Sequence, residues 1–174
     1  MSFLELAKER YSCRSLTDKP VEQEKIDQII EAGRIAPTAK NAQPVKIWVF
    51  QSEEALAKVR QCTPMTFAQV APVIFVIGAK PDAEGVFVRP FDQANFADVD
   101  AGIVATHMML EIADLGLGTT WVGFFDPIKL AELFPEMEGY HLDAMFPVGY
   151  PAEDAAPAPR HTEYKPFDEM VKIL

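Results

Sequence analysis

Only two cysteines stand among 174 residues, Cys13 and Cys62, and they form no CxxC pair. They form no metal pattern either, and a reduced, cytoplasmic life suits them. Histidine is scarce as well. His107, His141 and His161 are spread out with no carboxylate or cysteine at ligand spacing, so no metal is expected. Long apolar runs are missing too. The stretch Pro72-Val73-Ile74-Phe75-Val76-Ile77 falls far short of the ~18 residues a membrane span needs. Met1-Ser2-Phe3-Leu4-Glu5 has neither a basic n-region nor an apolar h-region, so neither membrane nor secretion is expected. Basic charge is short: 16 Lys and Arg face 26 Asp and Glu, a formal net charge of -10. Nucleic acid does not suit that balance. There is also no GxGxxG opening a helix after a strand. Gly116-Leu117-Gly118 comes nearest but follows a helix, so a Rossmann dinucleotide site is not supported.

Against this acidic background the stretch Arg10-Tyr11-Ser12-Cys13-Arg14 stands out. A chain of this charge does not gather anions by bulk field, so an anion must be held by a local site. Arg offers a planar fork of donors suited to phosphate oxygens, and Ser adds a neutral donor. Two duller readings stand beside it. Both arginines are solvated surface charges, or Arg10 complements the C-terminal dipole of the first helix.

Local signals divide the chain. Ser2 with Glu5 is a capping box opening a helix to about Arg10. A second helix is predicted over Val21 to Arg34, with Ile26, Ile29, Ile30 and Gly33 on one face. Pro37 and Pro44 bound a loop. Val45 to Phe50 reads as a strand, Ser52 caps a helix carrying Leu56 and Val59, and Pro72 to Ala79 reads as a strand covered on both faces. The stretch from Gly78 to Gln93 reads as a surface excursion. A long, broadly apolar helix spans Asn95 to Leu115, central to the fold or to a dimer interface, with Gly116 as its left-handed cap. Thr119 to Phe125 is predicted as a strand, Asp126-Pro127 as a helix start, and Leu142 to Val148 as a strand. From Pro147 to Pro166 the prolines predict an extended arm, closed by a short helix.

Three segments then fall into order: the Arg10–Arg14 cluster, the proline-bounded loop with Thr38, Asn41 and Gln43, and Leu115-Gly116-Leu117-Gly118-Thr119-Thr120-Trp121-Val122-Gly123. With the late Gly149-Tyr150-Pro151 and Arg160, this order resembles the nitroreductase superfamily of FMN-dependent oxidoreductases, over nearly the whole chain and in a compact form. The resemblance implies an α+β fold, a mixed β-sheet flanked by helices, in an intertwined homodimer. The length already predicts one domain over residues 1–174, and the prolines an extended C-terminal arm from about residue 150. The resemblance also implies FMN as cofactor, NADH or NADPH as reductant, and a small electron-poor acceptor such as a nitroaromatic or quinone. Arg10, Ser12 and Arg14 would hold the phosphate, ribityl chain and pyrimidine edge, with Tyr11 alongside and Arg160 as a second phosphate ligand. Pro37, Thr38, Ala39 and Asn41 would come from the other subunit and lie against the flavin, and Gln43 either joins them or braces their loop. Trp121, Val122 and Gly123 would pass along the ring, Gly123 by allowing close approach.

Duller readings remain beside these: Asn41 and Gln43 as turn formers, Trp121 as plain core, Gly116 and Gly118 as structural, and Cys13, between two arginines, as a passive small residue rather than a redox thiol. No side chain is required as a catalytic acid or base, because the hydride chemistry belongs to the flavin. Two positions depart from the family pattern: His107 stands where an Asn is common, and Ala158 where a basic residue precedes the late arginine. The alternative from another class is an FMN carrier or sensor without turnover of its own. Nothing in Thr63 to Gln69 or Gly85 to Phe96 names the acceptor.

Overall fold

The computed structural model describes residues 1–174. Seven helices accompany a four-stranded sheet in an α+β arrangement. Helix α1 covers Phe3–Glu9, and its capping box is present: the Ser2 N–H donates to Glu5 Oε2 at 2.7 Å, and the Glu5 N–H to Ser2 Oγ at 3.3 Å. Helix α2 covers Gln23–Arg34 and buries Ile26, Ile29 and Gly33. Then come β1 (Val45–Phe50), α3 (Glu53–Val59), α4 (Thr66–Val70) and β2 (Val73–Ala79). Helix α5 (Ala97–Asp114) leads to β3 (Gly118–Thr119), α6 (Pro127–Leu133), β4 (His141–Gly149) and α7 (Phe167–Met170). No helix is long and apolar enough to cross a membrane.

The strand order is β1-β2-β4-β3, and every ladder is antiparallel. This corrects the mixed sheet that was expected. Parallel pairing survives only as the single bridge Ser12↔Thr119 at the sheet edge. Strand β2 lies in the middle and is buried along its whole length. Its alternation splits the core. Val73, Phe75, Ile77 and Ala79 face α2 and α5 with Ala144, Phe146 and Val148 of β4, whereas Ile74 and Val76 face α3, α4 and α6 with Met145. Burying each such side chain contributes roughly 1.5–3 kcal/mol, so the sheet is held by helices on both faces.

Strand β3 is much shorter than the predicted Thr119 to Phe125. Its register continues past its end, since Thr119 pairs with Val148 and Val122 with Met145. The Val122 and Met145 backbones exchange hydrogen bonds of 3.0 Å in both directions. Hydrogen-bonded pairs alternate in an antiparallel ladder, so the next such pair back is Thr120 opposite Pro147. Proline has no N–H to donate, and the ladder breaks there. Helix α4 was not predicted, because Thr63 to Gln69 carries no periodic pattern long enough to read.

Helix α5 ends as predicted. Gly116 takes φ +71°, its N–H donates to the Ala113 carbonyl at 3.0 Å, and the Leu117 N–H reaches the Ile112 carbonyl at 3.0 Å. Both orphan carbonyls are thereby satisfied in a Schellman turn, which releases the chain straight into β3.

Candidate functional site

The turn after α5 brings the N-terminal arginines to the sheet edge. The Cys13 N–H donates to the Thr119 carbonyl at 2.9 Å, and Thr120 Oγ1 donates to the Cys13 carbonyl at 2.7 Å. Residues 10–14 therefore lie along the entry to Trp121, Val122 and Gly123. The approach is close: a Cβ on Gly118 would sit 2.7 Å from Cys13 Sγ. Cys13 itself is buried and donates to the Ser15 carbonyl.

The C-terminal arm returns along the same edge. The Thr17 N–H donates to the Tyr150 carbonyl at 2.8 Å, the Ala152 N–H to the Ser15 carbonyl at 3.0 Å, and Ser15 Oγ to Asp154 Oδ1 at 2.8 Å. The arm thus carries Arg160 to the N-terminal cluster. Arg10, Tyr11, Ser12, Arg14, Ala158, Arg160 and His161 line one cleft of ≈ 270 Å³. Arg10 and Arg14 make no ion pair, and the Arg160 contact with Glu163 is a long 3.9 Å. Three arginines thus line one cleft in a chain of net charge -10, and only Arg160 has an ion pair, a long one. That donor set fits a dianionic phosphate group. Burial, and then the hydrogen bond with Cys13, push the Tyr11 phenol up to about 12, so it stays a neutral wall of the cleft.

Trp121 and Gly123 are exposed and Val122 is buried. Trp121 lies opposite Phe146, with ring centroids 5.5 Å apart and planes at 75°. This is an edge-to-face cross-strand pair rather than a core tryptophan. A Cβ on Gly123 would meet nothing within 4 Å, and its φ is not in the left-handed region. No crowding within this chain demands glycine there.

The 37–43 loop is elsewhere. Pro37, Asn41 and Gln43 are exposed, and Thr38 and Ala39 half-buried. Lys40, Asn41 and Gln43 have φ of 54°, 55° and 49°. Three left-handed non-glycine residues in four positions mark a strained segment. It is braced from within. Thr38 Oγ1 accepts from the Gln43 N–H at 3.0 Å, and Gln43 Nε2 donates to Asn41 Oδ1 at 2.9 Å. The loop meets the first turns of α5, where the Ala39 N–H donates to Asp100, whereas Arg10 and Tyr11 share a small cavity with Ile112, Gly116 and Gly118 at the other end. From Asp100 to Asp114 the helix rises about 21 Å. The chain brings the arginine cleft beside the Trp121–Gly123 edge and leaves the 37–43 loop apart.

Sequence reasoning weighed His161 only for metal binding and set it aside; the structure places it in the same cleft, directly after Arg160.

Comparison with known proteins agrees with this architecture. A solved nitroreductase family protein from Clostridium difficile 630 is 35% identical, with a TM-score of 0.88 over 99% of this chain and 98% of that one. An FMN-dependent nitroreductase from Clostridium difficile R20291 shares the fold at 24% identity, with a TM-score of 0.78 over 98% of each chain. An FMN reductase (NAD(P)H) of Bacillus subtilis (strain 168) is 32% identical over 168 residues, 86% of this chain and 66% of the relative. The sequence profile of the Nitroreductase family matches residues 7–70 and 60–150. This chain belongs to the nitroreductase family.

Proposed function

We propose that this protein is an FMN-dependent NAD(P)H oxidoreductase that passes electrons to a small electron-poor acceptor, a nitroaromatic or quinone, by alternating use of one pocket. The observation that carries the reading is the cleft in which Arg10, Arg14 and Arg160 converge beside Tyr11 and Ser12. Those arginines would bind the FMN phosphate, and Ser12 would complete its coordination. When bound, FMN supplies the two-electron chemistry, from a reduced nicotinamide to the acceptor. The protein's part is to hold the phosphate, to present the exposed Trp121–Gly123 edge to the ring, and to keep Tyr11 neutral.

The 37–43 loop completes the site from a second copy. It stands at the far end of α5 from the cleft, so within one protomer it cannot serve the same flavin. Apolar surface supports the pairing: Phe3 is 72% exposed, Ile35 64%, and the arm ends in exposed Phe167, Met170, Ile173 and Leu174. Residues 1–174 act as one flavin-binding unit with an extended arm from about residue 150 that carries Arg160 to the cleft, in the reduced cytoplasm.

The test is the protein purified without added flavin. Its absorption spectrum and the mass of any released cofactor should give FMN near one per chain. Steady-state rates should give parallel double-reciprocal lines for nicotinamide and acceptor. Converging lines would count against alternation, and a protein that stays colourless with added FMN would end the reading. Rapid anaerobic flavin reduction by NADH or NADPH separates an enzyme from a flavin carrier.

A further inference from the structure

We infer that His161 is the latch that positions Arg160 over the anion cleft, a role that rests on the flavin reading of that cleft. Beyond Ala155 the arm is bare. From residue 156 to residue 174 every residue is exposed except His161. All other hydrogen bonds and ion pairs of that stretch are local to it, such as the His161 N–H to the Ala158 carbonyl and Arg160 to Glu163. One hydrogen bond alone ties it to the body of the protein: His161 Nε2 lies 3.0 Å from the Lys8 carbonyl oxygen. A carbonyl only accepts, so Nε2 carries the proton and donates.

The acceptor explains why the latch sits there. Lys8 lies in the last turn of α1, whose terminal carbonyls have no partner within the helix. A donor at that negative helix end is favoured on both hydrogen-bonding and electrostatic grounds. The ring also stands edge-on to Tyr11, with centroids 6.3 Å apart and planes at 71°. His161 therefore holds Lys8 and Tyr11, which stand on either side of Arg10 in the chain. Arg160 precedes it directly, with its side chain 90% exposed and no packing of its own. Free of the latch, a guanidinium on an unpacked arm drifts from two others of like charge. Held by it, Arg160 stays beside Arg10 and Arg14 and the three present one site to a dianion.

The role is positional, so its signature is non-additivity with Arg160. FMN and riboflavin binding are measured by flavin fluorescence for wild type, His161→Ala, Arg160→Ala and the double variant, with His161→Asn as a donor-retaining control. The affinity for FMN should fall about tenfold in His161→Ala and in Arg160→Ala, the worth of one charge-assisted bond. The double variant should lose no more than either single. Riboflavin, which lacks the phosphate, should bind all four proteins alike, and His161→Asn should recover part of the FMN affinity. Unchanged FMN binding in His161→Ala overturns the latch. So do losses that multiply in the double variant, or an equal loss for riboflavin. Wild type that takes up neither flavin removes the flavin reading and the latch together, whereas wild type that binds FMN beside an unaffected His161→Ala removes the latch alone.

Discussion

Asp100 accepts a hydrogen bond of 2.9 Å from the Ala39 N–H, tying the strained 37–43 loop to the first turns of α5. The carboxylate is 1% exposed, and its second oxygen has no partner. A buried half-satisfied carboxylate is a poor stabiliser by itself. Its place is explained by the loop it holds, whose Lys40, Asn41 and Gln43 backbones each resist that shape. Asp100→Ala should leave the Ala39 N–H unpaired, cost about 1–3 kcal/mol in urea unfolding, and speed hydrogen exchange at Ala39. Unaltered exchange there would show that the loop holds itself.

Gly118 should tolerate no side chain. An added Cβ would meet Cys13 Sγ at 2.7 Å, Cys13 Cβ at 2.9 Å and Leu16 Cδ2 at 2.9 Å. Gly118→Ala should destabilise by about 1–3 kcal/mol and displace residues 10–14. Thermal unfolding reads the first effect and FMN titration the second. Gly123→Ala, which meets nothing within 4 Å, should leave the melting temperature unchanged.

Removing positive charge from the cleft should empty it. The double change Arg10→Ala and Arg14→Ala deletes two of three converging guanidiniums, neither of which makes an ion pair within the fold. Affinity for FMN should drop at least about a hundredfold, with little effect on folding. Stoichiometric FMN retained through purification would break the assignment of these residues.

Asp143 predicts a pH dependence of stability. It is the extra residue of a bulge in β4, where Ile77 pairs with Ala144 and Gly78 with Leu142. Burial, and then the like charge of Asp98, raise its pKa to about 6 from 3.8, with His141 pulling the other way. The folded protein therefore binds a proton that the unfolded chain has already lost between those two values. Stability should fall as pH rises through that window and level off above it. Asp143→Asn should flatten the slope and gain about 1–2 kcal/mol at pH 7, after allowance for partial screening. Equal slopes in urea titrations of both proteins would refute this origin.

Pairing of two copies should be visible in sedimentation. Phe3 and Ile35 lie together beside His107 and Leu110 at an exposed apolar groove. Ile35→Glu should shift the protein toward monomer and weaken FMN binding with it, because the 37–43 loop then has no flavin to meet. A wild-type monomer that binds FMN tightly would exclude the cross-subunit loop.

Much of this protein is written locally. The Ser2–Glu5 capping box, the Asp126-Pro127 helix start and the Gly116 cap act through neighbours a few residues away, so the chain announces them without its fold. The apolar run of β2 was legible for the same reason, although it is covered within an antiparallel sheet. Arg10, Ser12 and Arg14 stand out as a candidate anion site because their chemistry is dense within five residues of an acidic chain. What only the tertiary structure decided is long-range. The end of β3 depends on Pro147 arriving opposite Thr120, a pairing across 27 residues that no local propensity encodes. The left-handed backbones of Lys40, Asn41 and Gln43 persist where Asp100, some 60 residues on, fastens their loop. His161 joins the arginine cleft only because the arm folds back over 153 residues to the Lys8 carbonyl. Local sequence sets what each segment can be, and the contacts that choose among those options form only when distant parts of the chain meet.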